Sequence, residues 1–85
     1  MDLDPDEMKK VGNRLKRAQG QLAAVVRMVD EGADCADVVT QLSAVSKALD
    51  RAGFAVIASG LKQCLADDDG EADLQKLEKL FLSLA

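Results

Sequence analysis

From Asp34 to the turn signal Asp67-Asp68-Asp69-Gly70 the chain runs without a proline, and apolar residues recur at Val38, Leu42, Val45, Leu49, Ala52 and Val56. Steps of three and four are the period of a helix with one buried face. Asp34 is placed to cap its start, with Asp37 three residues on. The pattern predicts a single helix over 35–66, roughly 48 Å long at 1.5 Å per residue. A rod of that length exceeds what a compact monomer of 85 residues needs, and it sets the terms for everything around it.

The flanking segments are also helical. Asp4 is a candidate N-cap, Pro5 suits the first helical position, and Glu7 at the third completes a box-like arrangement. Met8, Val11, Leu15, Ala18, Leu22, Val25 and Val29 continue the apolar pattern up to Gly32, a C-terminal stop, which predicts helix 1 over 5–31. Leu74, Leu77, Phe81 and Leu84 predict a short helix 3 over 71–84. No segment alternates with the period of a strand. The expectation is one all-α domain over 1–85, with two long helices and one short. A chain this small buries only ~60–65% of its unfolded surface, so association of copies is expected. Gly12, Gly20, Gly53 and Gly60 fall inside helices, each costing up to ~1 kcal/mol against Ala. Gly53 and Gly60 are read as places where another backbone comes close.

Composition removes whole classes of chemistry. There is no His, so Ser-His-Asp and Cys-His catalysis and imidazole metal sites are absent. Two Cys build neither a four-thiolate zinc site within one chain nor a disulfide scaffold. No general base, nucleophile elbow or phosphate loop points to an enzyme, and no cofactor is implied. The apolar runs are too short to span a membrane and the first residues are acidic, so neither a membrane span nor a signal peptide is expected. A reducing, cytoplasmic compartment fits the low cysteine count.

The two thiols are the most informative residues. Cys35 and Cys64 are 29 residues apart, about 43 Å along a continuous helix, so they cannot bond within one straight chain. Twenty-nine steps end only about 20° past eight full turns, so both thiols lie on one face. Between them that face carries Val39, Leu42, Ser46, Leu49, Gly53, Ile57 and Gly60. Two copies paired antiparallel along this seam, about a dyad near Leu49 and Asp50, would place Cys35 beside Cys64 of the second copy, twice per dimer. Inert packing in a helical interface is the plain alternative. Cys35 stands in a first turn, where the helix dipole favours thiolate and Asp34 and Asp37 oppose it. It is the better candidate for the attacking thiol, with Cys64 resolving. Two thiolates could instead hold Cu(I) in a two-coordinate site.

The net charge of −4 hides an asymmetry: Lys9, Lys10, Arg14, Lys16, Arg17 and Arg27 lie in a stretch with no acid, while Asp and Glu gather at 2–7 and 67–78. The basic residues are read as one stripe on the side of helix 1 opposite Leu15 and Leu22. A one-sided basic stripe on an acidic chain suits phosphate contacts, although a solvated helix face would also produce it. A recognition-helix motif, a zinc finger and an aromatic platform are all missing.

NRLKRAQGQL at 13–22, DCADVVTQLSAVSKAL at 34–49 and the second Cys at 64 resemble the CsoR/RcnR family of bacterial all-helical transcriptional repressors. The likeness extends over about residues 8–66. It implies a three-helix protomer, an antiparallel dimer and a dimer-of-dimers tetramer. It also implies binding to GC-rich operator double-stranded DNA that ends when an inducer occupies the interprotomer site. The family's DNA-contacting residues map onto Arg14 and Arg51, with Lys10, Lys16 and Arg17 as neighbours. Copper sensors of this family place a His four residues before the second Cys, where this chain has Gly60; nickel and cobalt sensors need several His. Formaldehyde sensors use an N-terminal Pro beside the first Cys, whereas this chain begins Met1-Asp2. Two thiols without His resemble the persulfide-sensing, CstR-like branch.

The sequence therefore reads as a repressor that releases DNA when Cys35 and Cys64 of a second copy react with low-molecular-weight persulfides to form a di-, tri- or tetrasulfide bridge. The target genes would serve sulfide and sulfane-sulfur detoxification. The alternatives are a Cu(I)-sensing repressor using the same two thiols and, in another class, a helical interaction module that binds no DNA.

Overall fold

A computed structural model of the chain describes residues 2–66 and 70–85. It contains three helices: α1 (Pro5–Asp30), α2 (Cys35–Ala66) and α3 (Gly70–Leu84). The turn assigned to Asp67-Asp68-Asp69 lies outside the described residues. Local chemistry accounts for the boundaries. The Asp4 carboxylate accepts from the Asp6 backbone N–H at 2.9 Å and Pro5 occupies the first turn; Asp34 accepts from the Ala36 N–H at 3.0 Å. Helix α1 ends one residue earlier than expected, in a Schellman arrangement: Gly32 at φ +72° lets its own N–H reach Val29 O and the Ala33 N–H reach Met28 O. Glu7 departs from its expected local role, because its carboxylate bonds across to α2.

Helices α1 and α2 form an antiparallel hairpin. The buried residues of α1 are Val11, Ala18 and Val25, and three of those on α2 are Val45, Ala52 and Ser59. Each set is spaced by seven, the repeat of a coiled-coil seam. Glu7 bonds Lys62 and Val11 shares a cavity wall with Ser59. The same register then sets Ala18 opposite Ala52, and Val25 opposite Val45. Two alanines at mid-length allow close approach of the rods, and Val at either side fills the seam.

Helix α3 folds back along the C-terminal half of α2. The Phe54 and Phe81 rings meet at 5.4 Å between centroids, tilted by 52°. Ile57 and Leu61 face Leu74, Leu77 and Phe81 across a small cavity. This corrects the expected use of Gly53: a Cβ there would stand 2.9 Å from Leu84 Cδ1, so the missing side chain makes room for a leucine of the same chain and not for another backbone. It also corrects the seam. The stripe from Cys35 to Cys64 is not open along its length, because α3 packs over the part beginning at Gly53.

Helices α1 and α3 both touch α2 and, among the described residues, do not touch each other. Three rods in one layer cannot enclose a core. The slab measures 54 × 25 × 13 Å with a radius of gyration of 16.4 Å, against about 12 Å for a compact domain of this length. Its accessible surface is 6357 Å², where a folded monomer of its mass exposes about 4,900 Å². Much of the excess is apolar. Leu15, Leu22 and Val29 on α1 are 42%, 44% and 60% exposed, and Leu42 and Leu49 on α2 are 48% and 46% exposed. Both rows step by seven, and the antiparallel register sets them side by side on one face of the hairpin.

Candidate functional site: two thiols and a basic groove

The expected thiol geometry holds within one chain. Cys35 opens α2 and is exposed; Cys64 stands half a turn from its end and is buried, at 2% exposure. They belong to opposite ends of one uninterrupted helix. Cys64 continues the Gly53, Ile57, Gly60 stripe, and Gly60 one turn earlier is buried with it. The second thiol thus lies on the α2 face against which α3 packs. Among the described residues no group of three or more His, Cys, Asp or Glu side chains could hold a metal. A donor set for a thiophilic ion, or a pair of thiols close enough to bridge, arises only when a second copy supplies the other cysteine.

The basic residues sort into two sets, which corrects the single stripe. Arg14 and Arg17 of α1 and Arg51 of α2 line one cavity of about 680 Å³ together with Gln21 and Phe54. Lys10 and Arg14 line a neighbouring cavity with Glu7, Ser59 and Lys62. Steps of three and four from Lys10 to Arg17 keep those three on the side of α1 that meets α2. Lys16 is two residues from Arg14, about 160° round the helix. With Lys9 and Arg27 it faces away from the groove. Of the five residues assigned to DNA contact, the structure brings together Lys10, Arg14, Arg17 and Arg51, and leaves Lys16 apart.

Two residues of this groove were not assigned from the sequence. Lys62 Nζ donates to Glu7 Oε1 at 2.7 Å, joining the first turn of α1 to the last turns of α2. The Lys62 hydrogen bond holds the Glu7 carboxyl below the usual carboxylate value, and Glu7 in turn raises the Lys62 ammonium. A signal for both was present. Lys62 follows Arg51 by eleven residues, three helical turns, and Glu7 precedes Lys10 by three.

The likeness to known proteins extends over nearly the whole chain. Residues 7–83 match the model of the family described as metal-sensitive transcriptional repressor. The chain belongs to this family. Its members are regulators and not enzymes. The copper-sensing transcriptional repressor CsoR of Mycobacterium ulcerans (strain Agy99) is 37% identical over 76 residues, covering 85% of this chain and 65% of that protein. The chain thus spans just under two thirds of the length of that relative. Among solved structures, the copper-sensing repressor CsoR with Cu(I) from Geobacillus thermodenitrificans NG80-2 superposes with a TM-score of 0.82 at 25% identity, covering 98% of this chain and 91% of that one. The nickel-responsive transcriptional regulator InrS gives a TM-score of 0.78 at 27% identity, covering 100% and 98%. The family and the all-α fold expected from the sequence are thereby established. The named relatives respond to metal, which shifts the weight from persulfide toward copper. No described helix is long and apolar enough to cross a membrane.

Proposed function

We propose that the protein is a DNA-binding transcriptional repressor whose inducer is Cu(I), held between Cys35 of one copy and Cys64 of a second. The observation that carries this reading is the placement of the only two thiols in the chain on one side of α2 at its opposite ends. Antiparallel association is the simple way to join them, and the copper-sensing relatives set the kind of ligand. The open apolar face of Leu15, Leu22, Leu42 and Leu49 is where a second copy packs. The excess surface, about 1,500 Å² per chain over a compact monomer, amounts to about 3,000 Å² for a pair, within the range of obligate homodimers. Two such dimers would make the tetramer that the family resemblance implies. The groove of Lys10, Arg14, Arg17 and Arg51 is the surface offered to operator phosphates.

Release follows from the burial of Cys64. An inducer shifts a conformational equilibrium only by its differential affinity for the two states. Joining Cys35 to a thiol that is 2% exposed requires the cover over Cys64 to give way. The bound state therefore differs from the resting one at the end of α2, where the groove also ends.

Gly60, in the position where the resemblance sets a His for copper sensors, favours a second reading: the same thiols joined by a persulfide-derived bridge. Anaerobic Cu(I) titration in competition with a chelator, followed by operator binding, separates the two. Tight binding of one Cu(I) per thiol pair, coupled to DNA release and abolished by Cys35→Ser or Cys64→Ser, is expected. Weak Cu(I) binding, together with a crosslinked dimer carrying 32-Da increments after treatment with a persulfide donor, would overturn copper in favour of sulfur.

A further inference from the structure

The two cavities between α1 and α2 share Arg14, Ala55 and Ala58 in their walls and so form one groove. Five cations line it, Lys10, Arg14, Arg17, Arg51 and Lys62, with a single carboxylate, Glu7, among the described residues. That carboxylate stands at the groove's end and is committed: Glu7 Oε1 accepts from Lys62 Nζ at 2.7 Å, while the Lys62 side chain remains 71% exposed. Lys62 is thus long, solvent-facing and aligned with Arg51 on α2, but its charge is answered from within the protein.

We propose that Glu7 is an electrostatic brake on DNA binding, which occupies Lys62 and withholds it from phosphate, so that the groove binds with four cations instead of five. This rests on the DNA-binding reading above. Each phosphate neutralised by a protein cation releases counterions and adds close to one unit to the dependence of log K on log salt. A lysine already paired with a carboxylate releases little when it meets a phosphate, and its partner repels the same phosphate. An acid within a cationic groove therefore subtracts twice, through the cation it occupies and through its own charge. Glu7 acts by controlling another residue, and the readout must be one that general destabilisation of the hairpin leaves unmoved.

Salt dependence is that readout. Binding of a short fluorescein-labelled GC-rich duplex is measured by anisotropy, for full-length protein without inducer, between about 50 and 200 mM salt. Glu7→Gln is expected to bind more tightly and to steepen the salt slope by about 0.9. Its advantage over the unaltered protein then shrinks about 3.5-fold across that range. Lys62→Gln alone leaves the slope unchanged, and the double variant returns to the original slope. Glu7→Ala, which lacks an amide to rebind Lys62, must reproduce the slope of Glu7→Gln, with far-UV circular dichroism confirming an intact helical fold. An unchanged slope in both Glu7 variants overturns the brake. So does a Lys62→Gln slope shallower by about one, because Lys62 would then already be on phosphate. Failure of the unaltered protein to bind the duplex at the lowest salt overturns the DNA-binding reading itself.

Discussion

The two ends of α2 carry the same reactive group in opposite circumstances. At the N-terminal end Cys35 is exposed, and the apolar residues that follow it, Val39, Leu42 and Leu49, are 58%, 48% and 46% exposed. At the C-terminal end Cys64 is 2% exposed, on the α2 face where α3 packs, while Leu61 and Leu65 beside it remain 42% and 73% exposed. The face around Cys35 is unfinished, whereas the face that carries Cys64 has in part been finished by α3 of its own chain. Association belongs where this face is open, so a second copy has most to cover around Cys35, Val39, Leu42 and Leu49. An inducer that needs both thiols must work against the cover at Cys64.

The largest consequence concerns thiol reactivity. In the reduced, metal-free protein, Cys35 should alkylate at a rate close to that of a small exposed thiol. Cys64 should react at least about a hundredfold more slowly, since each 1.4 kcal/mol of local opening costs a factor of ten. Timed iodoacetamide labelling with peptide mass mapping measures both rates in one sample. Equal, fast rates would dissolve the contrast between the ends. Equal, slow rates would sharpen it, because Cys35 would then be shielded by a second copy, and dilution should restore its reactivity.

A next, smaller effect divides the two halves by mutation. Leu42→Asp places a charge on the open face and should weaken self-association at least about tenfold, which costs as little as 1.4 kcal/mol. The hairpin should stay helical, because Leu42 is already half exposed. Leu61→Asp, in the wall shared with Leu74, Leu77 and Phe81, should instead loosen α3 and speed the labelling of Cys64. Sedimentation velocity and the labelling assay, run on both variants, test the division. If Leu61→Asp dissociates the protein as strongly as Leu42→Asp, α3 belongs to the interface and the two halves are not separate.

Much of this contrast could be read in the residues, and the unread part has a common cause. The helices were legible because caps, Gly32 and apolar spacing are local, and α2 begins and ends at its expected residues, Cys35 and Ala66. The 29-residue spacing of the thiols was legible because a straight helix converts number into angle and distance. The direction of α3 was not, since it is selected by contacts distant in sequence, the packing of Leu74, Leu77, Phe81 and Leu84 on Gly53, Phe54, Ile57 and Leu61. The ion pair between Glu7 and Lys62 was missed because its partners are 55 residues apart and Glu7 also suited a local capping role. The division of the basic residues needed only angular arithmetic: Lys16 and Arg14, two residues apart, cannot share a helix face.

The smallest effect lies where the finished half is tightest. Gly53→Ala would put a methyl group 2.9 Å from Leu84 Cδ1, which requires movement, yet the atom displaced is the tip of a flexible side chain. Against that cost stands the helix propensity of Ala, worth up to ~1 kcal/mol over Gly in a helix interior. The two nearly cancel, and the net change in unfolding free energy should stay below about 1 kcal/mol. Thermal melts at fixed protein concentration would show it, with Cys64 labelling as the local probe. A loss of several kcal/mol with fast labelling of Cys64 would mean that the seat of Leu84 is rigid and that α3 closes the second thiol as a unit. A stabilised protein with slow labelling would mean that only the leucine tip yields, leaving the cover to be opened elsewhere, nearer the start of α3.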